Sequence, residues 1–316
     1  MLRAARRAAV AMTLALASAL LAGDAGKDSP ATRPAGAESR WQAWRRWFRR
    51  LPEGVQAHRN VEYARAGEKK LLLDLYVSKE AKQPLPLVVW VHGGGWSGGD
   101  KRRCPATRLT EHGYAAASVN YRLSREATFP AQIHDCKAAI RWLRANAGKY
   151  NLDPKRIGVW GGSAGGHLVA LLGTSGGVKE AEGDLGNAEQ SSRVQAVCDW
   201  FGPTDLARLA GAKAPRLGRS HPVAGLLGGP ASEKKQLAEL ANPITHVTSD
   251  DPPFLIMHGD RDPLVPVSQS RRLHDALTAA GVESTLHVVK GAGHGFRGAP
   301  IDKTVREFFD KHLKKP

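Results

Sequence analysis

Cysteine, methionine and acidic side chains are all scarce in this 316-residue chain: three Cys, three Met, and 30 Asp plus Glu against 46 Lys plus Arg. Three cysteines spread over so long a chain exclude a disulfide-stapled miniature scaffold, and none has His or Cys neighbours at metal-ligand spacing, so no zinc site is expected. Apolar residues make up 42% but fall in runs shorter than the ~20 needed to cross a bilayer, which argues against a multi-span membrane protein. The Gly-Lys-Ser/Thr of a phosphate-binding loop is missing as well. A near-average apolar content can still bury one large core, or two small ones.

The shortage of acids leaves a formal charge of +16. Such an excess suggests nucleic acid or an anionic surface until it is located along the chain. Residues 1–60 carry eleven basic and four acidic side chains, so nearly half the excess sits in the first fifth. Arg3, Arg6 and Arg7 precede an uncharged run from Ala8 to Ala22, and Gly23-Asp24-Ala25 offers the small residues of a cleavage site. Residues 1–25 therefore read as a secretory signal and the mature protein as exported, to a periplasmic or extracellular location. Residues 26–59 read as a linker, Gly- and Pro-rich at first, followed by a basic aromatic segment. There Trp41, Trp44, Trp47, Phe48 and Leu51 share one helical face with arginines opposite, a pattern that suits an anionic surface or membrane interface and equally a helix docked on its own domain. No nucleic-acid partner is expected, and composition leaves the oligomeric state open.

Residues 60–316 alternate strand-like and helix-like segments, the pattern of a mostly parallel twisted α/β sheet of about eight strands with helices on both faces. Val61 to Arg65 and Leu71 to Val77 should pair antiparallel, and Leu87–Val91 and Tyr114–Asn120 should follow as interior strands. Asp100 is placed to cap a helix running toward His112. Residues 203–247 are rich in Gly, Ala and Pro with weak periodicity, and read as a small cap-like insertion.

Gly161-Gly162-Ser163-Ala164-Gly165 matches Gly-x-Ser-x-Gly where that motif has mechanical meaning, between a buried strand and a helix. A serine hydroxyl needs a base to take its proton and a third group to orient that base. His294, in a glycine-rich loop after the last strand, fits the base. Asp262 fits the acid, because the turn into Pro263 carries it past the strand end; Asp260, two residues away, is the rival but is expected to continue the strand. Gly93, Gly94 and Ala164 can present backbone N–H groups to an oxyanion. Trp96, Phe201 and Phe296 follow strand ends on the same side and could line a substrate pocket. His92, His167 and His258 adjoin motifs, and each is expected to shape its loop through hydrogen bonds.

These residues together resemble an α/β-hydrolase: His92-Gly-Gly-Gly-Trp96, Gly161 to His167, His258-Gly-Asp-Arg-Asp262-Pro-Leu-Val-Pro266 and Gly293-His-Gly295. Asn60 to Lys314 is similar to the esterase and lipase branch related to hormone-sensitive lipase, and within it to the bacterial feruloyl and acetylxylan esterase-like group. The resemblance implies a serine carboxylesterase with an acyl-serine intermediate, no cofactor and no metal. Acetyl or feruloyl esters of polysaccharides, or short-chain acyl esters generally, are the implied substrates. A serine peptidase of the prolyl oligopeptidase type shares the Ser–Asp–His order, and a non-catalytic binding protein on this fold is a further alternative.

Overall fold

The computed structural model describes residues 51–211 and 222–314. The expected signal, the linker up to residue 50, the Trp41 to Arg50 segment and residues 212–221 of the expected insertion lie outside the described residues.

Eight strands form one sheet: β1 (Val55–Ala66), β2 (Lys69–Ser78), β3 (Leu85–Val91), β4 (Ala115–Val119), β5 (Leu152–Gly162), β6 (Ala196–Trp200), β7 (Phe254–Gly259) and β8 (Ser284–Val289). Their spatial order is β1-β2-β4-β3-β5-β6-β7-β8, with β2 antiparallel to both neighbours and every later pair parallel. The two segments pair antiparallel as expected, with Val61 opposite Leu73 and Ala64 opposite Leu71, but β1 already begins at Val55, ahead of the boundary placed at residue 60. β4, β6 and β7 are buried along their whole length and β3 along all but its first residue, which is why they read as unbroken apolar runs.

Helices cover both faces. α1 (Ala131–Ala145), α2 (Ala164–Thr174) and α7 (Ser268–Ala279) enclose the larger core, which holds Ile133, Leu168 and Leu273. α8 (Ala299–Leu313) and a 3-10 turn over Pro105–His112 enclose the other, with Leu109, Val305 and Phe309. α3 (Lys179–Glu182) is a single turn. α4 (Leu206–Gly211), α5 (Pro222–Leu227) and α6 (Lys235–Leu240) belong to the insertion, and their buried Leu206, Val223 and Leu226 join the larger core. Among the described residues the insertion is thus packed down on the domain. No helix among them is long and apolar enough to cross a membrane.

Asp100 does not cap a helix. Its carboxylate accepts from the Arg102 backbone N–H at 2.8 Å and pairs with that guanidinium, while the next element starts only at Pro105. The segment between is held by Lys101, whose buried ammonium donates to Asp74 Oδ1 at 2.7 Å and Asn60 Oδ1 at 2.8 Å, and whose backbone N–H donates to Asn120 Oδ1 at 2.7 Å. A charge sealed this way is paired from two sides, so it fixes the loop after β3 to β2 and β4.

Candidate active site

The parallel strands β5, β7 and β8 all end on one edge, and the loops leaving them carry the chemistry. β5 passes into α2 within one residue: Ser163 has φ 58° and ψ −122°, a strained conformation for a residue with a Cβ. Its N–H donates to Trp200 O at 2.9 Å and its carbonyl accepts from His167 N–H at 3.0 Å, so β6 and α2 clamp the turn. The approach is too close for side chains. A methyl group on Gly165 would stand 2.1 Å from Val91 O, which explains the glycine there.

His294 Nε2 lies 2.8 Å from Ser163 Oγ, and His294 Nδ1 lies 2.7 Å from Asp262 Oδ2. Since a carboxylate only accepts, Nδ1 carries the proton and Nε2 is left to accept the serine hydroxyl. Asp262 is fully buried and receives four donors: the N–H groups of Leu264 (2.8 Å) and Val265 (3.0 Å) on Oδ1, and His294 together with His258 Nε2 (3.2 Å) on Oδ2. Burial acting alone would raise its pKa, but the hydrogen bonds from His258 and His294, the His294 charge and the Val265 N–H outweigh it and hold the carboxyl well below the ordinary range. Asp260 is not a continuation of β7, which stops at Gly259; it is exposed, and its Oδ1 accepts from Gly291 N–H at 2.6 Å.

Gly93 packs against this turn. A methyl there would lie 2.6 Å from Gly162 O and 3.3 Å from Ser163 Cβ, so the start of the glycine loop lies next to the serine. Ala164 is the first residue of α2, where helix N–H groups have no partner within the helix. Gly93, Gly95 and Gly98 also carry Gly-x-Gly-x-x-Gly spacing, yet no helix opens there. The loop instead folds back on itself, with Ser97 and Gly98 N–H donating to Gly94 O.

Trp96 is a correction to the expected pocket wall. It is 2% exposed, and its Nε1 donates to His167 Nδ1 at 3.2 Å, while His167 Nε2 donates to Ala241 O at 2.6 Å. The pair ties the glycine loop to α2 and to the insertion. Phe201 does stand beside the site, its ring centroid 4.7 Å from that of His294 and 5.2 Å from that of Phe296. A cavity of about 410 Å³ lies elsewhere, between the Pro105–His112 turn and α8, and its walls share no residue with this site. All three cysteines are buried free thiols, and burial pushes Cys104 up to about 12. Among the described residues no group of three or more His, Cys, Asp or Glu could hold a metal ion.

Two buried groups behind the serine titrate in opposite senses. Asp199, on β6, accepts from Gly202 N–H at 2.9 Å through Oδ1, while Oδ2 has no partner. Burial pushes its carboxyl up to about 6, against smaller effects of Gly202 and His258. Folding therefore favours protonated Asp199, a benefit complete below its ordinary 3.8 and lost as pH rises to about 6, worth about 3 kcal/mol at most. His167 is pushed by burial down to about 4, with the Ala241 carbonyl opposing, so its contribution is complete above 6.5 and lost as pH falls to about 4. In the parent protein the two slopes oppose each other. Asp199→Asn is expected to gain up to about 3 kcal/mol relative to the parent between pH 4 and 7 in urea denaturation; a difference that does not change with pH would count against it.

The BD-FAE family profile matches residues 73–277. The chain is 33% identical to a probable carboxylic ester hydrolase, LipM, of Mycobacterium tuberculosis over 64% of its own length and 47% of that protein. It is also 33% identical to carboxylesterase NlhH of the same species, over 78% of its length and 76% of that protein. The chain spans about half the length of the first curated relatives it matches. Among solved structures, a truncated carbohydrate esterase from gut microbiota superposes with a TM-score of 0.76 at 38% identity, covering 82% of this chain and 97% of that one. The acetyl ester-xyloside bifunctional hydrolase of Caldicellulosiruptor lactoaceticus superposes at 0.64 and 28% identity, covering 78% and 86%. With the eight-stranded sheet, the serine turn and these likenesses in agreement, the chain belongs to the BD-FAE family of α/β-hydrolase esterases.

Proposed function

We propose that this protein is an exported serine carboxylesterase acting on acetyl, feruloyl or other short acyl esters, with decorated polysaccharides as its natural substrates. The observation that carries the reading is His294 held between Ser163 and Asp262 at 2.8 and 2.7 Å. In the proposed reaction His294 takes the hydroxyl proton as Ser163 attacks the ester carbonyl, then returns it to the departing alcohol; a water repeats the sequence to release the acid. The N–H groups of Gly93, Gly94 and Ala164 receive the oxyanion. Phe201 and Phe296 offer an apolar wall beside His294, which suits an acyl or aromatic group. The polysaccharide class is supported by the carbohydrate esterase and the acetyl ester-xyloside hydrolase that the fold resembles. Export rests on the character of residues 1–25, and contact with an anionic surface on residues 41–51.

A panel of p-nitrophenyl acetate, butyrate and palmitate, methyl ferulate and acetylated xylan tests the substrate class. Turnover of the acetyl and feruloyl esters with little on palmitate is expected. Preference for palmitate, or inactivity on every ester, would overturn it.

A further inference from the structure

The acid that holds His294 has a second histidine beside the same oxygen. His258, at the end of β7, is completely buried, and each ring nitrogen has a defined partner. Nε2 faces Val265 O at 2.8 Å and Asp262 Oδ2 at 3.2 Å, two oxygens with no hydrogen of their own, so it carries the proton. Nδ1 faces Ser270 Oγ at 2.7 Å, in the first turn of α7, where the hydroxyl can donate to it. Ser270 thereby favours the tautomer with the proton on Nε2, and that one N–H is shared between Val265 O and the Asp262 oxygen that His294 also uses. Phe201 packs edge-on over His258 at 6.3 Å, next to its contact with His294.

We propose that His258, held by Ser270, is a positioning residue for the esterase reaction: it fills the last acceptor site of Asp262 and so sets both the direction and the strength with which Asp262 holds His294. This rests on the serine esterase reading above. A carboxylate in a sealed site that loses one of two donors on the same oxygen pulls harder on the other. The groups facing Asp262 are His258 from β7, His294 from the loop after β8, and the two backbone N–H groups of its own turn, with Asp199 on β6 acting on His258 from behind. Without His258 the remaining partner on that oxygen, His294, would therefore be held as a stronger base, while the two backbone N–H groups still fix the other oxygen of Asp262.

The test compares His258→Ala, His258→Gln and Ser270→Ala in the full chain, using whichever short p-nitrophenyl ester the parent hydrolyses. Glutamine can place an N–H near the position of Nε2; alanine cannot. His258→Ala is expected to lower kcat about 10- to 100-fold with KM within about twofold, and to move the acid limb of the kcat/KM profile up by roughly half to one pH unit. His258→Gln should recover most of both changes, and Ser270→Ala, which leaves the packing nearly intact, should show a smaller change of the same sign. A pH limb that stays in place in Ser270→Ala and in every soluble His258 variant overturns the proposal, as does a glutamine variant no better than alanine. Inactivity of the parent would instead remove the esterase reading itself.

Discussion

Replacing Ser163 by alanine is expected to lower kcat on a short p-nitrophenyl ester by about 10⁴-fold or more while leaving the folded protein intact. Ser163 Oγ makes its contact with His294 alone among the bonds that define the turn; the clamp itself runs through backbone, from Ser163 N–H to Trp200 O and from His167 N–H to Ser163 O. Alanine keeps those bonds and the strained φ of 58°. Loss of the hydroxyl thus removes the proposed nucleophile and little else, and circular dichroism should match the parent. The residual rate should be that of water attacking an ester held beside the glycine loop. A variant retaining more than about a hundredth of the parent rate would transfer the chemistry to another group.

Asp262→Asn should be nearly as damaging, by about 10³- to 10⁴-fold in kcat, for a different reason. Asp262 faces only N–H groups, three of them hydrogen-bonded to it and the fourth, His258 Nε2, 3.2 Å away, so an amide nitrogen put in place of either oxygen meets at least one of them donor to donor. The two backbone donors cannot leave, which forces the oxygen of the amide toward Leu264 and Val265 and its NH₂ toward His294. His294 must then accept at Nδ1 and carry its proton on Nε2, facing Ser163 with the wrong group. Asp260→Asn is the matched control. Asp260 receives one N–H, from Gly291, on an exposed turn, and its amide can accept that bond unchanged. If the Asp260 variant lost activity and the Asp262 variant kept it, the assignment of the acid would be reversed.

How far the sequence discloses this arrangement depends on how local the cause is. β3, β4, β6 and β7 are legible because a strand buried on both faces must be apolar throughout, and the three loops of the site are legible because Gly, Pro and Ser stand at their bends. The start of β1 at Val55 is not. Its outer half mixes Gln56, His58 and Arg59 with half-buried positions, and a register shift between His58 and Val61 interrupts the alternation. Trp96 misleads for a related reason: its place after a glycine run points to the site, while its actual partner, His167, is 71 residues away and meets it only once α2 has packed. His258 has a legible neighbour, Asp262, four residues on; the hydroxyl that fixes its ring comes from α7 and leaves no mark in the local pattern. The shift of Asp199 is invisible for the same cause, since Asp199 sits in an apolar strand and only packing shows that one of its oxygens is sealed without a donor.

The order of strands has a consequence for how the protein reaches its working state. His294 and Ser163 are 131 positions apart in the chain, and β6 and β7, with the whole insertion between them, intervene in the sheet between the strands that carry them. The bond between the two needs those intervening strands in place, and pairing of that separation is slow compared with helix or hairpin formation. The proposed esterase site thus depends on contacts of high sequence separation, whose closure costs more chain entropy than any local helix or hairpin of the fold.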